Sequence, residues 1–469
     1  MVFASLTFLS VFLPLNLLLY YLFNNSTYRN ILLTLFSLVF YAWGEPVWVI
    51  LLIFSALVDY LNGLWIEKFR GTFWAKLGLI SSLVINLSLL VGFKYSGFLY
   101  ENINFLFGLD LKVPNFTLPV GISFYTFQTI SYTVDLYRNK VKVQTSWLKF
   151  LLFVSLYPQL VAGPIVRYEQ VADEIDHRRF NIIDLSAGIH RFCIGLFKKV
   201  FIANTAGEFA SKYLEGSLAE VSISEGWFGI CMFSLQIYFD FSGYSDMAIG
   251  LGRMFGFHYQ ENFRYPYIST SATEFWRRWY ISLGSFFRDY VYIPLGGNKK
   301  NQYLNLFIVW FLTGLWHGAS WNFVIWGLYF GVLITIEKLF LLKILEKIPA
   351  LLRHLYLLFI AVVGWAIFYF TDFEKLIAFF KLLFGISLQP LSSLELNFLI
   401  KENIYWLAIS LLLCLPIYPF FNKWFERKIK FENKQALWIL SFVLQYVLLL
   451  VSIALLVGNT YNPFIYYRF

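Results

Sequence analysis

Charge is the scarcest thing in this chain. Only 14% of its 469 residues are Asp, Glu, Lys or Arg, against about a quarter in ordinary soluble domains. With 59% hydrophobic and 21% aromatic residues and a mean hydropathy of +0.63, a soluble globular protein is excluded. Cysteine is scarce too. Cys193, Cys231 and Cys414 lie far apart in apolar contexts, which excludes a disulfide framework and a cysteine metal site and predicts small buried hydrophobes. The five histidines form no His-x3-His spacing, so no metal site is expected. There is no Walker loop, no Gly-x-Ser-x-Gly elbow and no internal repeat. The net charge of +9 raises nucleic acid as a partner, but the Lys and Arg sit mostly in connectors and form no reading face, so nucleic acid is excluded as well.

Long apolar runs are plentiful. They are continuous, unlike the alternating ten-residue segments of a barrel, so helices are the expected spanning form. The reading is an all-α integral membrane protein in contact with membrane lipid. Candidate spans are 3–22, 30–43, 47–64, 77–93, 119–136, 147–163, 186–206, 226–251, 303–316, 319–338, 354–371, 403–421 and 436–457. Segments as short as 30–43 and 303–316 suggest re-entrant pieces, giving about 11–13 membrane segments. The first run lacks a basic leader and is expected to be retained as a span. Connectors 65–76, 338–353 and 422–435 are rich in Lys and Arg, whereas 101–117 and 388–402 are acidic. The first three are predicted cytoplasmic and the other two outside, with the N-terminus outside. The whole chain, 1–469, reads as one transmembrane domain.

The stretch 252–302 is polar and aromatic at once and too rich in Arg to span. It predicts one or two interfacial or re-entrant helices, with Thr270 and Ser271 before Glu274 marking a helix start.

His317 is the most informative residue. It sits in Gly314-Leu-Trp-His-Gly318, inside a stretch from Leu304 to Ile336 where Tyr329 is the only other ionisable group. An ionisable group at membrane depth faces protein interior or a water-filled cavity. Imidazole is also matched to proton transfer near neutral pH. The alternative is a core histidine satisfied by its neighbours.

Three more segments carry chemistry. In Phe275-Trp-Arg-Arg-Trp279 and Phe287-Arg-Asp-Tyr290, Glu274 is spaced to pair with Arg277 or Arg278, leaving Arg278 and Arg288 for phosphate. The alternative is arginines snorkelling to lipid headgroups. In Asp240-Phe-Ser-Gly-Tyr-Ser-Asp246, two carboxylates near membrane depth need partners. An arginine of 264–288 is the expected one, with a paired-carboxylate site as the alternative. In Val120–Arg138, recurrent Ser, Thr and Gln predict a cavity-lining or helix-joining face. Pro158 and Pro164 around Gly163 predict a broken span.

Together these motifs, with Tyr157-Pro-Gln-Leu-Val-Ala-Gly-Pro-Ile-Val-Arg167, Glu261-Asn-Phe263 and Ile293-Pro-Leu-Gly-Gly297, resemble the membrane-bound O-acyltransferase superfamily (MBOAT). The likeness is to its bacterial alginate O-acetylase branch, from the first span to the closing Asn462–Phe469. The resemblance implies helices around a central catalytic pocket, with His317 as the catalytic histidine. It implies a thioester donor from the cytoplasm, either acetyl-CoA or an acylated carrier, and no permanently bound cofactor. The acceptor side would be an envelope polysaccharide, reached through an extracytoplasmic acetyltransferase partner. The expected site is a bacterial cytoplasmic membrane. Many relatives carry a second histidine after Arg-Arg-Trp, where this chain has Tyr280. With a side-chain pKa of about 10, Tyr280 is a poor base, which puts a two-histidine mechanism in doubt.

The chemistry implied is acyl transfer to a hydroxyl, with His317 as base, or through an acyl-histidine. Arg277, Arg278, Tyr280, Arg288, Asp289, Trp316, Asp240 and Asp246 are the candidate substrate-binding residues. Two alternatives stay open: a non-enzymatic polysaccharide or lipid-linked sugar transporter, and D-alanyl transfer to teichoic acid.

Overall fold

The computed structural model describes residues 1–114, 116–178, 181–417, 434–459, 461–462 and 465. Among them every regular element is helical and no strand occurs. The chain divides into two compact units, Met1–Phe192 with Tyr244–Glu261, and Cys193–Gly243 with Asn262–Ile465.

The first unit holds α1 (Leu13–Leu22), α2 (Ser26–Gly44), α3 (Val49–Lys68), α4 (Phe73–Leu90), α5 (Ser96–Phe107), α6 (Ile122–Tyr137), α7 (Trp147–Ser155), α8 (Tyr157–Leu160), α9 (Tyr168–His177) and most of α10 (Ile182–Phe197). The polar residues of α6 are turned inward, Ser123, Thr126, Gln128, Thr129, Ser131 and Asp135 all being buried. Gln128 Nε2 reaches the Gln159 carbonyl of α8 at 3.4 Å, while the Thr129 and Ser131 hydroxyls donate to carbonyls of α6 itself. The fully buried Asp59 of α3 accepts hydrogen bonds from Ser82 Oγ at 2.5 Å and Asn86 Nδ2 at 2.8 Å on α4. Ser82 Oγ in turn lies 3.1 Å from Thr133 Oγ1 of α6. Ser82 and Asn86 of α4 thus satisfy the buried Asp59 carboxylate of α3, which is how a charge at such depth is tolerated. The break predicted within 147–163 is present. Helix α7 ends at Ser155, a single turn α8 follows, and the chain leaves it through Gly163 at φ +94°, a conformation that favours glycine.

The second unit holds α11 (Asn204–Leu214), most of α12 (Ile223–Met254), α13 (Ala272–Arg278), α14 (Ile281–Phe287), α15 (Gln302–His317), α16 (Trp321–Ile336), α17 (Leu342–Leu345), α18 (Ala350–Tyr369), α19 (Phe373–Leu383), α20 (Leu394–Glu402), α21 (Ile404–Leu413) and α22 (Lys434–Gly458). The polar stretch 252–302 contains no helix of membrane-crossing length. It is built from α13, α14 and single turns at Pro266–Ile268 and Arg288–Tyr292.

Helix is found at each predicted span within the described residues, with 147–163 broken as above. Among the described residues three helices are long and apolar enough to cross a membrane: Val49–Lys68, Phe73–Phe107 and Ala350–Tyr369. The pair Leu394–Glu402 and Ile404–Leu413, bent by 69°, makes a fourth if it counts as one span. The predicted connector 422–435 lies, but for its last two residues, outside the described residues. One expectation fails. Cys193 and Cys414 are buried, but Cys231 is exposed on α12.

Candidate active site

His317 is the last residue of α15, and the chain turns through Gly318 directly into α16. Two glycine contacts bring these helices together. A Cβ on Gly327 would stand 2.3 Å from the Trp310 carbonyl oxygen, and one on Gly314 would stand 2.4 Å from that of Phe323. Only glycine permits this approach, the device that lets membrane helices pack backbone to backbone. The approach seats the His317 ring among aromatic edges: Trp316 at 4.9 Å, Trp326 at 4.8 Å and Phe368 of α18 at 5.3 Å between ring centroids. Trp316 and Trp326 are buried, while His317 stays half-buried. Its imidazole is held by ring packing yet is not fully enclosed.

Tyr280 joins the same cluster, its ring 5.9 Å from that of Trp316. It has φ +46° and ψ +56°, a left-handed conformation costly for a bulky residue. The Glu-Asn-Phe motif explains how this is held. Ile281 N donates to the Asn262 carbonyl at 2.9 Å, and Ser282 N and Oγ both donate to Asn262 Oδ1. Phe263 stacks on the Tyr280 ring at 6.0 Å. Asn262 thus pins the turn that aims Tyr280 at the cluster.

The arginines are not arranged as the sequence suggested. Arg278, expected to remain free, is the partner of Glu274: its Nε donates to Glu274 Oε1 at 3.0 Å and its Nη1 to the Arg264 carbonyl at 3.2 Å. The i,i+4 spacing on α13 wins over i,i+3 here. Burial alone would raise the Glu274 carboxyl, but the Thr270 amide and hydroxyl and the Arg278 guanidinium hold it below its usual range. Arg288, also expected to be free, is clasped by its neighbour Asp289 through Nε at 2.6 Å and Nη2 at 3.1 Å. That bond raises the Arg288 guanidinium pKa. Arg277 is exposed, makes no ion pair among the described residues, and lies close enough to Lys338 for the two charges to repel.

The two aspartates also differ from expectation. The cations found on them come from the 188–199 segment. Within the second unit Asp240 is paired with Lys199 at 2.8 Å, both buried, and accepts a hydrogen bond from Ile465 N. Within the first unit Asp246 accepts from Arg191 Nε at 2.7 Å, and Arg191 also binds both oxygens of Glu261. The physical reason is glycine again. A Cβ on Gly243 would meet the Gly195 carbonyl at 2.8 Å, and one on Gly250 would meet that of Gly188 at 2.6 Å. Helix α12 therefore lies tight against the 188–199 segment, and its carboxylates find the cations there. Sequence reasoning missed Arg191 and Lys199, although three cations (Arg191, Lys198 and Lys199) within one predicted span and two carboxylates within the next were a usable signal. It also missed Asn262, Trp326 and Glu337, each of which acts only through contacts distant in sequence.

Asp240 remains near the cluster, since Phe241 lies 6.2 Å from Tyr280. A cavity of about 340 Å³ in the first unit, lined by residues such as Tyr41, Glu45, Val120 and Val161, contains none of the predicted site residues. Among the described residues no group of three or more His, Cys, Asp or Glu is placed to hold a metal.

The profile of the MBOAT, membrane-bound O-acyltransferase family matches residues 2–371. The chain belongs to this family. It is 39% identical over 431 residues to the probable alginate O-acetylase AlgI of Pseudomonas aeruginosa, covering 90% of this chain and 81% of that protein. It is 32% identical over 443 residues to the peptidoglycan O-acetyltransferase of Helicobacter pylori, covering 86% and 84%. It is 31% identical over 234 residues to the teichoic acid D-alanyltransferase of Bacillus subtilis, covering 47% and 59%. As an MBOAT protein this chain is a membrane-associated O-acyltransferase.

Proposed function

We propose that this MBOAT protein takes acetyl groups from a cytoplasmic thioester, acetyl-CoA or an acylated carrier, and passes them across a bacterial cytoplasmic membrane for O-acetylation of an exported envelope polysaccharide. In this reading the chain is a multi-pass protein of about 11–13 membrane segments acting as one domain, and an extracytoplasmic acetyltransferase completes the transfer. The observation that carries it is His317, a half-buried imidazole boxed by Trp316, Trp326 and Phe368 at a close helix crossing. The names of the relatives, two O-acetylases and an alanyltransferase, favour the enzyme over a transporter. The broad coverage of the two O-acetylases favours acetyl over D-alanyl.

The chemistry is direct. An acceptor hydroxyl oxygen attacks the thioester carbonyl carbon while His317 accepts the hydroxyl proton. The carbon–sulfur bond breaks, the ester forms, and the proton goes from the imidazolium to the departing thiolate. Ring contacts with Trp316, Trp326 and Phe368 set the orientation of the imidazole before substrate arrives. Arg277 is the exposed guanidinium suited to a donor phosphate. Arg278 and Arg288 serve mainly their carboxylates, Glu274 and Asp289. Tyr280 and Trp316 form the wall beside His317, and Asp240 and Asp246 fix α12.

The test is thioester consumption by purified protein in lipid nanodiscs, offered acetyl-CoA and an acetylated carrier protein in turn, with an O-acetyl acceptor present. Turnover of either donor supports the enzyme. No turnover of both, by protein that is folded and monodisperse, overturns it.

A further inference from the structure

The donor-side helix α13 begins at a buried carboxylate that no motif contains. Glu337, one residue past the end of α16, is 0% exposed. Its Oε1 accepts from Ala272 N at 2.6 Å and from Tyr356 Oη at 3.2 Å. Its Oε2 accepts from Thr273 N at 2.8 Å and Thr273 Oγ1 at 2.6 Å. The next amide of the turn, Glu274 N, donates to Ser271 Oγ at 3.1 Å. The first three amides of α13 are therefore all satisfied, two of them by one side chain from another helix. A helix start leaves these donors open and carries a partial positive charge. Glu337 answers both needs, and among the described residues it makes no ion pair with a cation.

The same α16 reaches the reactive histidine. Trp326 lies 4.8 Å from the His317 ring and 5.4 Å from Trp276 of α13. Helix α13 is thus tied to α16 at two levels, by Glu337 at its start and by Trp276 in its middle. Arg277 follows Trp276 directly.

We propose that Glu337 is a positioning residue that sets where Arg277 stands relative to His317, and so fixes how the thioester donor is held for transfer. It rests on the donor-binding reading of Arg277 given above. Glu337 touches neither donor nor acceptor. It acts through the start of α13, where its two oxygens take four hydrogen bonds that an amide cannot reproduce: in Glu337→Gln one oxygen becomes an NH2 facing donors. A phosphate contact made equally in the ground state and the transition state appears in KM and not in kcat.

The experiment compares wild-type protein and Glu337→Gln in nanodiscs by acetyl-CoA consumption and by hydrogen exchange. KM for acetyl-CoA is expected to rise about tenfold or more, with kcat held within about threefold. The Ala272 and Thr273 amides are expected to exchange at least about tenfold faster. An unchanged KM, or a fall in kcat alone, overturns the proposal, and so do unchanged exchange rates. If Glu337→Gln does not fold, Thr273→Ala removes only the hydroxyl donor, and a KM rise of about threefold is expected. An unchanged KM in that variant overturns the proposal equally. Wild-type protein that consumes no acetyl-CoA leaves exchange to decide on the clamp, and an acetylated carrier takes over as the KM probe. Failure with both donors sinks the donor reading, and the positioning role that depends on it, even where exchange accelerates and the clamp itself stands.

Discussion

The His317 ring stands edge-on to Trp326, 4.8 Å between centroids and 82° between planes. They lie nine positions apart in sequence, and the helix break at Gly318 folds the second helix back so that they meet. Packing of this kind fixes a ring's orientation.

If His317 accepts the acceptor proton, its removal costs a general base, roughly 10²–10⁴ in rate. His317→Ala is expected to abolish O-acetylation of the envelope polymer while the protein still accumulates in the membrane. His317→Gln, which keeps much of the side-chain size, is expected to do the same. Ester content of the polymer in a deletion strain, with membrane levels checked by blot, decides it. Wild-type ester content from a well-expressed His317→Ala strain would refute the role.

Tyr280→Phe is expected to keep substantial activity. Its hydroxyl has no assigned proton-transfer role, and its loss removes at most a hydrogen bond of about 0.5–1.5 kcal/mol. The left-handed backbone at this position is held by Asn262, not by the hydroxyl. A rate loss beyond about a hundredfold, at normal protein levels, contradicts this assignment and makes Tyr280 a participant in the chemistry.

Lys199→Met leaves the Asp240 carboxylate buried beside an apolar chain. Breaking one side of such a pair costs about 3–5 kcal/mol, so a clear fall in melting temperature in detergent is expected. Lys199→Met combined with Asp240→Asn is expected to regain part of the loss, since no uncompensated charge remains. Equal melting of Lys199→Met and wild type contradicts a structural ion pair here.

His258 ties the 255–260 turn to two helices. Its Nδ1 lies 2.7 Å from Glu174 Oε1 of α9, and its Nε2 lies 3.4 Å from Asp184 Oδ1 of α10. Partial burial lowers its pKa, but the two carboxylates outweigh that, and the net shift is upward. A raised folded pKa adds stability that is complete below the unfolded value of about 6.5 and is lost as pH rises through the folded value. The melting difference between wild type and His258→Gln is therefore expected to shrink from about pH 6 to about pH 8. A difference that grows over this window contradicts the sign.

The charge balance of the connectors predicts opposite sides for 338–353 and 388–402. With the three native cysteines replaced, Lys343→Cys is expected to label only from the cytoplasmic face and Ser392→Cys only from the outside. Both positions are exposed. The reverse pattern overturns the orientation.

The sequence by itself determined the membrane class, the helical form, the break around Gly163 and the helix start at Ser271, and it singled out His317 as the candidate base. These follow from local facts: runs of apolar residues, prolines beside a glycine, a capping serine, and one imidazole in a stretch without charge. Tertiary structure alone decided the partners. Asp240 chose Lys199, Asp246 chose Arg191, and Arg278 turned to Glu274, because glycine contacts between α12 and the 188–199 segment and the pitch of α13 set which charges could touch. Glu337 carries no motif at all, and its role exists only because the end of α16 meets the start of α13. Pairing depends on which helix faces lie together, and composition and spacing along one chain do not specify that.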